Sequence, residues 1–454
     1  MNKITAREQS LDLLLAILKK GSYSPIVLNE ALSKNTFSTH DRGLITTLVY
    51  GVLQRKMTLD YVLSLYVAKE RKLDTWVRVL LWLSIYQKMY LDRIPDHALV
   101  NEAVEIAKKR GHRGISNLVN GVLRRLIREG LPDFNAIQPE ERRDAIQNSH
   151  PEWLLRLWRE EWDLETARRI AEADNQPPLV SVRVNRTRLD PDTLIDKLHE
   201  VGIDAKSSTL SPDGLVLASS GSIAASPFFV SGQLTIQDQS SMLVADAVAP
   251  EASMLVLDAC AGPGGKTTHL AERMDGKGRI IALDLHPHKT KLIDEAAKRL
   301  GLDSCIETRA LDARRAADQF ASQSFDRVLL DVPCSGFGVI RRKPEIRWEK
   351  NPEDIAQLVK VQKEILERTA PLVRPGGLLI YSTCTISRAE NDWQISQFLA
   401  EHPEFEPDSD FAQHLPASVR ERVHPLEGWL QLMPFDFNTD GFFIACLRRS
   451  ETGQ

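Results

Sequence analysis

Met254-Leu255-Val256-Leu257-Asp258-Ala259-Cys260-Ala261-Gly262-Pro263-Gly264-Gly265-Lys266-Thr267-Thr268 reads as a buried strand closed by an acid, then a glycine-rich turn, then the start of a helix. Apolar runs of the same kind follow at residues 279–284 and 325–331, both ending in Asp, and at residues 378–382, ending in Ser382. Helical spacing fills the intervals, notably residues 289–300 and 354–372. Strand alternating with helix specifies a mostly parallel, doubly wound α/β sheet over residues 237–449. Ligands of such sheets bind beyond the carboxyl ends of the strands.

Upstream the pattern changes twice. Leu11, Leu14, Leu15 and Leu18 recur at helical spacing, as do Leu44, Leu48 and Val52, then Leu59, Val62 and Leu63, then Val79, Leu80, Leu83 and Tyr86. Ile94-Pro95-Asp96 interrupts them before further helices around Asn101 and Leu118. Residues 1–145 are therefore expected to form an all-helical domain. Residues 146–236 carry a helical stripe of Trp153, Leu154, Leu157, Trp158 and Trp162, read as packing. Pro177-Pro178, an alternating strand at residues 179–184, a helix near residues 192–201 and glycine- and serine-rich turns complete a small α+β linker module.

The 454-residue chain is too long for one core, in keeping with three domains. Residues 1–10 are polar and mixed in charge, unlike a secretory leader, and the apolar stretches are too short to span a bilayer. Five cysteines without regular spacing argue against a disulfide framework and for a reducing cytoplasm. No metal is expected. A net charge of -4 excludes a blanket basic coat but not a local basic groove.

The glycines let the backbone pass close to a ligand, and the helix start attracts negative charge. The turn lacks the spacing of a P-loop. Asp284 lies where an acid binds ribose hydroxyls, about 20 residues past such a turn. Asp312 follows a third strand. Each aspartate alone reads as a cap, but three acids at successive strand ends favour a cofactor site. Leu330-Asp331-Val332-Pro333-Cys334 and Tyr381-Ser382-Thr383-Cys384-Thr385 each put a cysteine just past a strand end. Cys305 and Cys446 read as buried filler and Cys260 as a turn residue. Two cysteines in one cleft suit covalent catalysis on a pyrimidine: one thiolate adds to carbon 6, an acid such as Asp331 holds the ring edge, and the second thiol acts as general acid or base. Spacing does not say which cysteine attacks.

With Gly338-Val339-Ile340-Arg341-Arg342-Lys343-Pro344-Glu345-Ile346-Arg347-Trp348 and Asp440-Gly441-Phe442-Phe443, the two cysteine motifs resemble those of RNA 5-methylcytosine methyltransferases of the Nol1/Nop2/Sun group. Within it the chain is most similar to bacterial small-subunit ribosomal RNA methyltransferases of the Sun/Fmu type. The helical part, through Ile94-Pro95, Val100-Asn101-Glu102-Ala103-Val104-Glu105-Ile106-Ala107-Lys108 and Asn120-Gly121-Val122-Leu123-Arg124-Arg125, resembles the RNA-binding antitermination factor NusB. The resemblance covers nearly the whole chain. It implies a NusB-like RNA-binding bundle, an RRM-like linker and a Rossmann-like class I methyltransferase domain. It further implies S-adenosylmethionine held by Cys260, Ala261, Gly262, Pro263, Gly264, Gly265 and Lys266 with Asp284, Asp312 and Asp331. Cys384 would be the nucleophile, and Cys334 would assist release. Gly262 and Val332 stand where alanine is common, and Thr385 where serine is frequent.

Arg341, Arg342, Lys343 and Arg347, with Trp348 among them, are expected to contact RNA phosphate, and so is a basic cluster of Lys108, Lys109, Arg110, Arg113, Arg124, Arg125 and Arg128. The expected partner is small-subunit ribosomal RNA, met by a monomer. Two rival readings are the same chemistry on transfer RNA and a non-catalytic RNA-binding or antitermination protein.

Overall fold

Apolar residues at helical spacing pack as the first of two units in the computed structural model, which describes residues 4–20, 27–28, 30–32, 37–68, 72–218 and 223–451. Residues 1–3 of the polar amino-terminal stretch and 219–222 of the glycine- and serine-rich turns lie outside the described residues. The first unit comprises Met1–Gln176 with Ile340–Glu349, and the second comprises Pro177–Val339 with Lys350–Gln454.

In the first unit, helices α1 (Ala6–Lys20), α2 (Thr39–Tyr66), α3 (Thr75–Tyr90), α4 (Asp96–Arg110) and α5 (Arg113–Glu129) bury Leu11, Leu14, Leu48, Val52, Leu59, Val79 and Leu80 in one core. Leu15, Leu18, Leu44 and Tyr86 are only partly buried at its edge. Helices α6 (Glu140–Asn148), α7 (Glu152–Glu161) and α8 (Leu164–Ala173) pack with this compact unit, which extends through Gln176. The reason is polar as well as apolar. Thr58 Oγ1 donates to the Ile146 carbonyl at 2.6 Å, and Ser149 Oγ accepts from the Met57 N–H at 3.0 Å. Trp158 and Leu154 of the aromatic stripe are fully buried, which makes the stripe packing.

Ile340–Glu349 returns to this helical unit and corrects the RNA-contact expectation for two of its arginines. Arg347 is fully buried. Its guanidinium donates to the carbonyls of Ser149 at 3.0 Å and Gln54 at 3.2 Å, and to Asn175 Oδ1 at 3.2 Å. Burial lowers its pKa to about 10 even though Asp174 lies nearby. Arg341 is 2% exposed, which leaves no approach for a phosphate. Trp348 is occupied too: its indole N–H donates to the Leu53 carbonyl at 3.1 Å, and Lys56 lies over its ring. Arg342 and Lys343 keep partial exposure. Replacing Arg347 with methionine strands several buried acceptors and should destabilise the helical unit by about 3 kcal/mol. The salt dependence of RNA binding should keep its slope; a slope reduced by about one would instead make Arg347 a phosphate contact.

Much of the basic cluster on the helices is already neutralised. Lys109 pairs with Glu8, Arg110 with Asp12, Lys108 with Glu105, and both Arg125 and Arg128 with Glu129.

The second unit holds two sheets. The smaller is antiparallel, with strands β1 (Val180–Val184), β2 (Ala205–Ser207), β3 (Gly214–Leu217) and β4 (Leu234–Ile236) in the order β2-β3-β1-β4. Helix α9 (Pro191–Glu200) follows β1, and the single turn Pro227–Val230 precedes β4. That is the split βαβ arrangement with its second helix cut short. The larger sheet runs β10-β12-β9-β8-β5-β6-β7, with β11 (Trp429–Leu432) paired to β12. Strands β5 (Leu255–Asp258), β6 (Arg279–Asp284), β7 (Ile306–Ala310), β8 (Phe325–Asp331) and β9 (Val373–Thr383) are mutually parallel. Strands β10 (Phe405–Pro407) and β12 (Phe442–Arg449) add an antiparallel edge. Helices α10 (Gln239–Val248), α11 (Gly265–Arg273), α12 (Pro287–Leu300), α13 (Pro352–Thr369) and α14 (Asp392–Glu401) complete this sheet's surroundings.

The two sheets form one unit because Arg183 of β1 is buried against α11. It donates to both carboxylate oxygens of Glu272 at 2.8 and 2.9 Å, to Thr268 Oγ1 at 3.0 Å and to the Gly265 carbonyl at 2.6 Å. The linker sheet thereby fixes the first turn of the helix that begins at the glycine-rich segment.

Candidate active site

The parallel strands deliver their acids to one end of the sheet. Asp331, at the end of β8, stands in register with Ser382 of β9, and Asp258 ends the neighbouring β5. After β5 the chain turns through Gly264, whose φ of +104° favours glycine. A Cβ there would lie 3.1 Å from the Ile293 Cα, and one on Gly262 would lie 2.3 Å from Asp284 Oδ2. The bare backbone at 262 lets the Gly262 N–H donate to that oxygen at 3.1 Å. Asp284 Oδ1 accepts from the His286 N–H at 2.9 Å. Asp312 caps a short 3-10 turn, accepting from the Arg314 N–H at 3.0 Å while its carboxylate pairs with the Arg314 guanidinium. Asp312 therefore acts as a cap, and one-fifth of its side chain stays exposed.

Asp258 is fully buried. Its Oδ2 accepts from Thr267 Oγ1 at 2.7 Å, and its Oδ1 has no hydrogen-bond partner among the described residues. Burial pushes its pKa up to about 7; the Thr267 bond opposes the shift, and nearby Asp331 adds to it. The unfolded value is about 3.9, so the folded state binds the extra proton between these limits. Stability from this group is therefore present at low pH and lost as pH rises toward 7. Asp258→Asn should melt above the parent at pH 8, with the gap closing as pH falls from about 7 to 4. A gap independent of pH, followed by calorimetry, would contradict this.

Lys266 Nζ binds Asp331 Oδ2 at 2.8 Å, and Ser382 Oγ donates to Asp331 Oδ1 at 2.9 Å. Burial alone would lower the Lys266 pKa, but Asp331, with Cys384 and Asp258 close by, turns the net shift upward. Cys334 and Cys384 meet with their sulfurs 3.4 Å apart. The Cys334 thiol is held well up, first by its hydrogen bond to Cys384, then by burial and by the charges of Glu390 and Asp331. Cys260 is also raised, by burial and by Asp258, Asp331 and Asp284, which makes it a poor thiolate. Cys305 and Cys446 are buried, as filler should be.

The cysteine loops are clasped from behind. Gly338 donates its N–H to the Cys384 carbonyl at 3.0 Å and accepts from Gly441 at 2.8 Å. A Cβ on Gly338 would lie 2.0 Å from the Gly441 oxygen, so only glycine fits. The buried Glu390 carboxylate accepts from the Ser335 N–H at 2.8 Å, from Gln362 Nε2 at 2.9 Å and from Ser335 Oγ. Ser335 Oγ also bonds Thr385 Oγ1 at 2.7 Å. Sequence reasoning missed Glu390 and Gln362. Nothing in the local sequence pattern singles out either residue.

Among the described residues no three or more His, Cys, Asp or Glu side chains gather so as to hold a metal ion, and no helix is long and apolar enough to cross a membrane.

Residues 245–448 match the family described as 16S rRNA methyltransferase RsmB/F, residues 4–128 match the NusB family, and residues 150–224 match a ferredoxin-like domain of RsmF/B-like methyltransferases. The chain is 48% identical to the probable ribosomal RNA small subunit methyltransferase B of Bacillus subtilis, over 99% of this chain and all of that one. The chain belongs to the ribosomal RNA small subunit methyltransferase B family. The Klebsiella pneumoniae member is 34% identical, with 98% of each chain covered. The crystal structure of PH0851 superposes with a TM-score of 0.82 at 27% identity, covering 98% of each chain. NSun6 from Pyrococcus horikoshii with SFG shares the fold at 21% identity and a TM-score of 0.60, over 67% of this chain and 99% of that one. These likenesses agree with the expected order of a helical NusB-like bundle, a ferredoxin-like linker and a methyltransferase sheet.

Proposed function

We propose that this chain transfers a methyl group from S-adenosylmethionine to carbon 5 of a cytosine in small-subunit (16S) ribosomal RNA, through a covalent bond from Cys384 to carbon 6. The observation that carries the reading is the pair of sulfurs 3.4 Å apart, just past the ends of two adjacent parallel strands, beside the Lys266–Asp331 ion pair. Membership of the family supports the substrate, since its members are named for small-subunit ribosomal RNA.

The glycine-rich segment fits the cofactor. Gly262 and Gly264 let the turn pack closely against Asp284 and Ile293. Asp284 Oδ1, which accepts from the His286 N–H, retains a second lone pair for a ribose hydroxyl, while Oδ2 accepts from the Gly262 N–H and lies 3.5 Å from Lys289 Nζ. In this reading the backbone of residues 260–266, with Asp284, Asp312 and Asp331, holds S-adenosylmethionine. When bound, it supplies an electrophilic methyl on a sulfonium.

Cys384 adds to carbon 6 as its thiolate, favoured by the neighbouring Lys266 ammonium. Addition makes carbon 5 nucleophilic. Asp331 accepts a hydrogen bond from the exocyclic amine and holds the pyrimidine edge in place. Loss of the carbon 5 proton restores the ring double bond and breaks the carbon–sulfur bond. Cys334, held protonated, gives its S–H proton to the departing Cys384 sulfur, and the Cys334 thiolate so formed takes up the carbon 5 proton. The target base has to leave its stack to reach the thiols, which favours a loop or an accessible end. Arg342 and Lys343 are the phosphate contacts in this reading, and the enzyme works as a cytoplasmic monomer.

Labelled S-adenosylmethionine offered with bare 16S ribosomal RNA, small-subunit particles and transfer RNA transcripts tests the proposal. Label recovered as 5-methylcytosine in the ribosomal substrates is expected. Label confined to transfer RNA would redirect the chemistry, and none anywhere would leave a binding protein.

A further inference from the structure

Both cysteines sit on loops, and loops need an external reason to hold two sulfurs at a fixed spacing. The reason lies one residue beyond each thiol. Ser335 follows Cys334 and Thr385 follows Cys384, and their hydroxyls bond each other at 2.7 Å. Glu390 closes this pair from below. It is fully buried and accepts from the Ser335 N–H at 2.8 Å as well as from Ser335 Oγ. Gln362 of α13 bonds the same carboxylate at 2.9 Å and the Pro333 carbonyl at 2.9 Å, so the carboxylate is tied to the residues on both sides of Cys334. On the other side, the Glu390 carbonyl accepts from the buried Tyr381 hydroxyl at 2.7 Å, and Asn391 Nδ2 donates to the Thr385 carbonyl at 3.0 Å. Residues 390 and 391 therefore grip the two loops from one short turn.

We propose that Glu390 is a positioning residue that sets the Cys334–Cys384 separation by clasping Ser335 and, through it, Thr385. The proposal rests on the two-cysteine reading above and deepens it. Burying a carboxylate is costly unless it is well hydrogen-bonded, and here three donors from two elements converge on it. The sulfurs' geometry matters most at the step where Cys334 serves the departing Cys384, so Glu390 acts on release more than on RNA or cofactor binding.

Two measurements on the full chain test this. In the first, no RNA is present. Diamide takes two electrons and two protons from neighbouring thiols, joining the sulfurs and becoming the hydrazine, and digestion with mass spectrometry follows the Cys334–Cys384 disulfide. Glu390→Ala should form it about tenfold more slowly than the parent, since cross-linking requires closely held sulfurs. Equal rates overturn the proposal whatever the enzyme's substrate. In the second, Glu390→Ala under turnover should lose kcat by about 10²-fold with KM unchanged, as displaced catalytic groups do, and a protein–RNA adduct should accumulate on a denaturing gel. Turnover and adduct at parental levels contradict the positioning role. Loss of adduct and turnover together with a fall in Tm assigns Glu390 to folding alone, which also overturns it. Ser335→Ala keeps the carboxylate and Gln362 in place, so it should reproduce both effects more weakly if Glu390→Ala does not fold. Parental protein run alongside separates the readings: parental chain that never methylates ribosomal RNA defeats the proposed function, while the disulfide rate still judges Glu390.

Discussion

Cys384→Ala is expected to lower methyl transfer by about 10⁴-fold or more, because removing a covalent nucleophile closes the only low-barrier route to an activated carbon 5. Cofactor binding should survive. The side chain lies past the end of β9, whereas the glycine-rich segment and Asp312 follow β5 and β7 and Asp284 ends β6. The loss should appear in kcat, with S-adenosylmethionine affinity by calorimetry unchanged. Retained turnover would remove Cys384 from the chemistry. Equal loss of cofactor affinity would show that the substitution had disturbed the sheet end as a whole.

Cys334→Ala should act at the other end of the reaction. Its thiol lies 3.4 Å from the Cys384 sulfur and is held protonated. Without it the departing sulfur loses its hydrogen-bond donor, so bond formation continues while release slows. Turnover should fall by about 10²- to 10⁴-fold, the range for loss of a general acid or base, and a stable protein–RNA band should build up under denaturing conditions. A band that accumulates with Cys384→Ala and not with Cys334→Ala would reverse the two roles.

Much of this site is visible in the sequence because the central parallel strands carry apolar runs that end abruptly in polar groups. Asp258, Asp284 and Asp331 fall at the ends of β5, β6 and β8 as their apolar runs require. The start of β9 is less legible. Pro375-Gly376-Gly377 looks like a turn, yet the strand begins at Val373 and runs through it, with Gly376 at φ +72°. The antiparallel edge of β10 and β12 is set by pairing with distant strands, a long-range property that local pattern does not encode. Arg341 and Arg347 mislead for a related reason. A basic run looks like a phosphate-binding surface, but Arg347 supplies donors to carbonyls contributed by residues 54 and 149, far away in the chain. Glu390 is silent in the sequence because its partners, Ser335 and Gln362, come from separate elements that only the fold brings together.

The central claim is that Cys384 forms the bond to the pyrimidine. The Cys334→Ala adduct with small-subunit ribosomal RNA, digested with protease and nuclease and sequenced by mass spectrometry, tests it most directly. The account predicts one cross-linked peptide, containing Tyr381-Ser382-Thr383-Cys384, bearing a methylated cytosine nucleotide on the Cys384 sulfur. A nucleotide on Cys260, or an adduct carrying no methyl group on the base, would contradict it.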